Sequence, residues 1–423
     1  MSNTLRGTAV VAQSGGPTTV INASACGVIQ EALTQSESIE TIFGATNGIL
    51  GILREERFDF REESEAAVDG LKRTPASAIG SCRYKLGDPE KNSHRYRRIL
   101  DVFAAHNIRY FFYIGGNDSM DTADKISQLA KSTGYDLRVM GVAKTIDNDL
   151  VGTDHCPGFG SVAKYLATSV MEAGRDTEAM WTFDPVTITE AMGRNTGWIA
   201  ASTGLASRSP EDAPHLVYVP EIPFSVEQFL ADVKATIERL GRCYVVVSEG
   251  ITDKNGDYVA AQASVDAFGH KQLGGVAAFL QEKVTQELGL KCRHNKLDTC
   301  QRNAMHFASK TDSDEAYRCG QEAVRQAVQG TSGFMVGIDR TSQSPYQSEP
   351  KLIALSEVAN GVKRLPRSFM NEAGNHISAE MRSYTAPLLV GEVPIRIGED
   401  GLPEFIRFKR RHVGRKLATF AED

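Results

Sequence analysis

The chain has 423 residues, 41% of them hydrophobic and 24% charged, with a formal net charge of −6. That length implies two or three domains with a sizeable core, and the negative balance argues against a general nucleic-acid binder while leaving room for a local basic pocket. The seven cysteines are scattered, with no Cys-x-x-Cys pair, no zinc spacing and no secretory leader, and no apolar run is long enough to span a bilayer, so the expected setting is a reducing cytoplasm without a membrane partner.

The opening "MSNTLRGTAVVAQSGG" reads as a first strand, "GTAVVAQ" at 7–13, and not as a targeting segment. Further apolar runs of strand length follow at "TIFGAT" (41–46), "IRYFFYIGG" (108–116), "LRVMGVA" (137–143), "VTITEAM" (186–192), "HLVYVP" (215–220), "CYVVVSEG" (243–250) and "FMVGID" (334–339). Phe159, Val162, Leu166, Val170 and Ala173 recur at helical spacing, and 225–240, 272–288 and 311–329 read similarly. Strands alternating with helices imply crossover units on mostly parallel sheets, covered on both faces. The Gly- and Pro-rich "LVGTDHCPGFGS" (150–161) reads as a hinge between two α/β domains. The basic "RFKRRHVGRKL" (407–417) reads as a solvated face, or else as a tail facing a phosphate or another subunit.

In open α/β sheets, ligands bind beyond the carboxyl ends of the strands. Three polar clusters stand at such ends. "AQSGGPTTVINA" (12–23) places Gly15 and Gly16 before a helix expected near Pro17, a plain turn or an anion site. "YIGGNDSM" (113–120) opens a strand onto Asn117, Asp118 and Ser119, which suits a phosphate, a metal or an ordinary helix cap. "AKTIDNDL" (143–150) carries Lys144, Thr145, Asp147, Asn148 and Asp149 within six residues. The bland reading of that stretch is an Asx-capped turn. The chemical reading gives one carboxylate the proton of a hydroxyl, a second a cation, and the lysine the developing charge of a phosphoryl group. Arg83, Arg194, Arg293 and Arg302 follow glycines or strand ends and fit bidentate phosphate recognition. Glu249 follows an apolar strand and is either a loop acid or an acceptor for a sugar hydroxyl. There is no Gly-Lys-Ser/Thr ending of a P-loop and no G-x-G-x-x-G.

Taken in order, "QSGGPTTVINA", "GSCRY", "GGNDS", "KTIDND", "AMGRNTGWIA" and "SEG", with the arginines at 293 and 302, resemble the phosphofructokinase family across most of the chain. The resemblance implies two Rossmann-like three-layer α/β/α domains with mostly parallel sheets and an active site in the cleft between them. It further implies a phosphoryl-donor domain at 1–157 plus 302–355 and a sugar-phosphate domain at 158–301 plus 356–423. The implied reaction is transfer of a phosphoryl group to the 1-hydroxyl of fructose 6-phosphate, with magnesium. By resemblance Asp147 is the base, and Thr145, Ile146 and Asp149 flank it at the transferring phosphoryl. Gly15 and Gly16 approach the donor phosphates, and Arg83 bridges donor and acceptor. Met192, Gly193 and Arg194 line the sugar pocket, Glu249 accepts from sugar hydroxyls, and Arg293, Thr299 and Arg302 hold the 6-phosphate. A neighbouring subunit shares in that last contact in the family, so a homodimer or homotetramer is implied.

Asp118 and Lys144 stand where ATP-using members typically have glycine, a combination that looks like the diphosphate-dependent branch. A carboxylate at 118 intrudes, by bulk and charge, where the inner phosphate of a nucleotide would lie. Diphosphate offers no adenosine to grip, so charge such as that of Lys144 must bind it. The alternatives are ATP as donor, or sedoheptulose 7-phosphate as an additional acceptor. Asn117 stands in place of an aspartate in the metal-associated turn, and an amide oxygen holds magnesium less strongly than a carboxylate. Thr299 replaces a ring donor to the 6-phosphate, and Pro185 replaces an often basic residue that reaches the neighbouring subunit.

Overall fold

A computed structural model describes residues 5–265, 271–273, 275–359 and 361–421. The apolar runs become strands: β1 (Gly7–Gln13), β2 (Ile39–Ala45), β3 (Arg57–Asp59), β4 (Ile108–Gly115), β5 (Arg138–Ala143), β6 (Val186–Ala191), β7 (Leu216–Tyr218) and β8 (Cys243–Ser248). They are followed by β9 (Ala261–Val265), β10 (Lys271–Leu273), β11 (Cys292–Lys296), β12 (Phe334–Gln343) and β13 (Tyr346–Ala354).

One sheet has the order β13-β12-β5-β4-β1-β2-β3, parallel except for its two edge strands, and a second has the all-parallel order β11-β6-β8-β7. Each sheet is buried on both faces. On β1, Val10 and Ala12 belong to one apolar cluster, whereas Ala9 and Val11 belong to another. The second sheet divides its Val186–Ala191 and Cys243–Ser248 residues in the same way. This is the two-faced covering expected of parallel strands. Each sheet is thus the middle layer of an α/β/α sandwich.

On the first sheet the helices Ile21–Thr34 and Lys310–Val328 pack closely. A Cβ on Gly27 would lie 2.1 Å from the carbonyl oxygen of Tyr317, and one on Gly320 the same distance from that of Ser24, so each crossing point requires glycine. The chain therefore returns late to its first sheet, adding β12 and β13 beside β5.

Several elements differ from the sequence reading. The first helix begins at Ile21, one turn later than expected, because Thr18 and Thr19 are spent in a buried turn. The helix expected from 272 begins at Val276, preceded by Gly275 in a left-handed conformation (φ +91°). The β11 sequence "CRHNK" carries no apolar run because it is an edge strand paired only with β6. The basic 407–417 stretch, assigned from sequence to the second domain, lies against the first sheet instead. Val413 N–H donates to the Arg57 carbonyl (2.9 Å), Lys416 and Leu417 N–H donate to Glu55 (3.0 and 3.1 Å), and the Phe408 ring packs tilted against Phe58 and edge-on against Phe60. The edge position of β3 in the sheet and the buried Glu55 carboxylate supply partners that the tail's composition does not reveal. No helix among the described residues is long and apolar enough to cross a membrane.

Candidate active site

The carboxyl ends of β1, β4 and β5 face those of β6 and β8 across a cleft of about 390 Å³. In the first sheet β1 lies between β2 and β4, so successive crossovers leave it in opposite directions. That reversal opens the crevice in which such sheets bind ligands.

After β1 the backbone turns at Gly15, whose φ of +78° is costly for any residue with a Cβ. The Gly15 amide donates to the Cys82 carbonyl (3.0 Å), and the Ser81 hydroxyl donates to the Gly15 carbonyl (2.6 Å). The loop bearing Arg83 is thereby fastened to the Gly-Gly loop. After β4, Gly116 precedes the helix Asn117–Thr133, with Asp118 in its first turn. Ser119 is buried beneath Gly115, where a Cβ would lie 2.1 Å from its Oγ. The Asn117 amide donates to an Asp149 carboxylate oxygen (3.2 Å), and the Asn117 Oδ1 is buried with no partner.

After β5, Lys144 turns inward and donates to the Gly16 carbonyl at 2.8 Å. It is only 4% exposed, and burial lowers its ammonium pKa from an ordinary 10.5 to about 8, against the opposing pull of Asp147 and Asp149. Asp147 is held by its own backbone: its N–H donates to the Thr145 hydroxyl (3.1 Å), and its carbonyl accepts from Thr196 (3.0 Å). Asn148 takes the left-handed conformation (φ +54°), which asparagine tolerates better than most residues. Asp147 and Asp149 thus flank one tight turn. Burial raises the Asp147 carboxyl, opposed by Lys144, Arg194 and Arg302. Burial also pushes Asp149 up to about 7, and the nearby Asp147 charge adds to the rise.

The opposite wall comes from the second sheet. Met192 N–H donates to Gln301 (3.0 Å), and Gly193 N–H donates to the Glu249 carboxylate (3.3 Å). Burial pushes Glu249 up to about 7 despite that bond. Arg302 ends the turn Asp298–Arg302 and crosses to the first wall. A Cβ on Gly16 would lie 2.8 Å from its Nη1. Burial, then Arg83, lowers the Arg302 pKa, so two guanidiniums crowd one region of the cleft. Such crowding favours a polyanionic ligand.

Of the residues singled out from sequence, Gly15, Gly16, Arg83, Asn117, Asp118, Lys144, Thr145, Ile146, Asp147, Asp149, Met192, Arg194, Glu249 and Arg302 line this cleft. Gly193 stands just behind it, as a donor to Glu249. Arg293 and Thr299 do not line it. Arg293 is an exposed residue of β11 whose Nε donates to Asp184 at 2.6 Å, and Thr299 is exposed on its turn. The cleft also recruits Ser14, Tyr113 and Val362. Ser14 lies within the 12–23 motif and Tyr113 opens the 113–120 motif near the end of β4, but nothing in the local pattern marks Val362.

A divalent cation fits one corner of the cleft. The unpartnered Asn117 Oδ1, the Asp149 carboxylate and the nearby Asp147 form an all-oxygen donor set, as magnesium prefers. Burial of two mutually repelling carboxylates is the electrostatic state that a cation relieves.

The phosphofructokinase family model matches residues 8–327. The chain is 50% identical over 416 residues to a pyrophosphate–fructose 6-phosphate 1-phosphotransferase from Xanthomonas campestris, covering 98% of this chain and 99% of that one. It is 46% identical to a protein of the same description from Halomonas elongata, covering 97% and 98% of the two chains. The crystal structure of a pyrophosphate-dependent phosphofructokinase from Marinobacter aquaeolei superposes with a TM-score of 0.90 at 43% identity, covering 98% of this chain and 100% of that one. With sequence motifs, two-sheet fold and interdomain cleft all concordant, the chain belongs to the phosphofructokinase family.

Proposed function

We propose that the chain catalyses reversible transfer of a phosphoryl group from diphosphate to the 1-hydroxyl of fructose 6-phosphate, giving fructose 1,6-bisphosphate and phosphate. The observation that carries the choice of donor is the buried Lys144 ammonium between the Gly16 carbonyl and the Asp147–Asp149 turn, with Asp118 in the first turn of the adjacent helix. A compact inorganic polyanion satisfies that cation, whereas a nucleotide must pass its inner phosphate beside the Asp118 carboxylate.

In this reading the residues 1–157 with 302–355 hold the donor, and 158–301 with the first part of the C-terminal segment hold the sugar phosphate. The Gly15–Gly16 turn, Lys144 and Arg83 bind the diphosphate. Arg302, together with Met192, Gly193 and Arg194, orients the sugar phosphate, and Glu249 accepts from its hydroxyls. Asp147, with Thr145 and Ile146 beside it, takes the proton of the 1-hydroxyl, and its raised pKa makes it a stronger base than an exposed aspartate. Magnesium, held by Asn117 and Asp149, would neutralise charge on the phosphoryl oxygens. The surrounding arginines and Lys144 stabilise the equatorial charge that develops during transfer. Both directions use the same groups, because the product phosphate and the donor diphosphate occupy one basic subsite.

The exposed Arg293 supports a site shared between subunits, with Arg293 and Thr299 serving a neighbouring copy's 6-phosphate, in a cytoplasmic homodimer or homotetramer. Initial rates with diphosphate and with ATP, each with magnesium and fructose 6-phosphate, test the donor. Turnover with diphosphate alone is expected, and turnover with ATP alone rejects the reading. Sedimentation of wild type and Arg293→Ala, with sugar-phosphate KM measured in parallel, tests the shared site. The expected result is an unchanged oligomer with a raised KM.

A further inference from the structure

The segment after 355 reaches the active site: Val362 lines the cleft. Lys363, next to the cleft-lining Val362, packs against the turn that carries Asp147 and Asp149. Its backbone N–H donates to the Asp149 carbonyl at 2.7 Å. Its ammonium donates to the Asn148 Oδ1 (3.2 Å), the Thr153 carbonyl (3.2 Å) and the Asp154 carbonyl (2.7 Å). Its own carbonyl accepts from the Trp198 indole (3.0 Å), at the start of the helix that follows the sugar-pocket loop. Tyr384 completes the arrangement: its hydroxyl accepts from the Asn148 amide (3.1 Å) and donates to the Asp154 carbonyl (2.7 Å).

Lys363 and Tyr384 each bond directly to Asn148, a fully buried residue in the left-handed conformation, and the remaining contacts anchor them to its neighbours Asp149, Thr153 and Asp154. The Asn148 Oδ1 also accepts from the Cys156 amide (2.9 Å), so both ends of the side chain are engaged. We infer that Lys363 and Tyr384 are positioning residues for the catalytic turn, acting through Asn148. The physical need is plain. Two buried carboxylates one residue apart repel each other, and a left-handed turn between them holds only where its surroundings over-determine it. Phosphoryl transfer depends almost wholly on alignment, so a small displacement of Asp147 costs rate without weakening the grip on either substrate. The inference rests on Asp147 being the base, and Asp147→Ala assayed alongside tests that assignment separately through loss of turnover in a folded protein.

The test is kinetic. Lys363→Met removes the ammonium and keeps the backbone bond to Asp149. It is expected to lower kcat about 10- to 100-fold while both KM values stay within about threefold. Tyr384→Phe keeps the ring packed on Trp198 and Phe369 and is expected to lower kcat about 3- to 10-fold with the same split. Lys363→Arg, which keeps a cationic donor, should recover part of the loss. Asn148→Gly preserves the turn conformation and removes the relay, so adding Lys363→Met to it should cost little more. A folded Lys363→Met with kcat within about twofold of wild type overturns the inference, as does a loss of equal size in the Asn148→Gly background. Where Lys363→Met does not fold, Tyr384→Phe decides by the same two criteria.

Discussion

Replacing Lys144 by methionine should raise stability and abolish most turnover. The ammonium is buried, and burial drops its pKa from 10.5 to about 8. A displacement of that size is worth about 3 kcal/mol against the charged form at neutral pH. Methionine fills similar volume without a charge. It forfeits the bond to the Gly16 carbonyl, which subtracts about 1 kcal/mol. The net gain of about 2 kcal/mol corresponds to an apparent Tm about 2–4 °C higher for a chain of this size. Activity should move the other way. A cation about 4 Å from a phosphate oxygen contributes about 4 kcal/mol at an effective dielectric of about 20. Its loss lowers kcat/KM for diphosphate about 10³-fold. The assay pairs a thermal melt with initial rates under saturating magnesium and fructose 6-phosphate. A variant that melts below wild type, or one that keeps more than about a tenth of its kcat/KM, refutes the electrostatic account of this lysine.

Asp118→Gly should open a path for nucleotide phosphate, and with Lys144→Gly it should bring measurable ATP turnover while diphosphate turnover collapses; a double variant still specific for diphosphate counts against the donor assignment. Gly16→Ala places a methyl 2.8 Å from the Arg302 Nη1, so the flexible guanidinium end is displaced and the fold survives. Sugar-phosphate KM should rise about tenfold or more with an unchanged melt, and an unaltered KM removes Arg302 from that role. Stability should also depend on pH through the buried carboxylates and Lys144. Glu249 and Asp149 keep their protons up to about 7 when folded but lose them near 4 when unfolded. The native state therefore binds more protons over that window, and these groups erode stability as pH rises from about 4 to 7. Lys144 does the reverse, binding fewer protons in the native state from about 8 to 10.5, so it adds stability as pH rises through that range. Melts of Glu249→Gln across pH 4–8 should show a flatter decline and a higher Tm at neutral pH, and a curve superposable on wild type contradicts the burial of that carboxylate.

Much of the site was legible because its chemistry lies at short range. Glycines at 15 and 16, the Asn117–Asp118 helix start and the Lys144–Asp149 run each follow an apolar strand, and chain stiffness alone delivers them to a sheet's carboxyl end. Those same local rules marked β1, β4, β5, β6 and β8 within a residue or two. What the sequence by itself determined, then, is the identity of the reacting groups and the order in which strands present them. Tertiary structure alone decided which groups lose water and which distant segments meet. It laid Arg302 across Gly16 and set Lys363 against Asn148, it turned Arg293 out toward Asp184, and it brought the 407–417 tail home to β3. The reason is physical: desolvation and hydrogen bonding between residues hundreds of positions apart depend on the packed whole, and no local pattern encodes the neighbours that supply them.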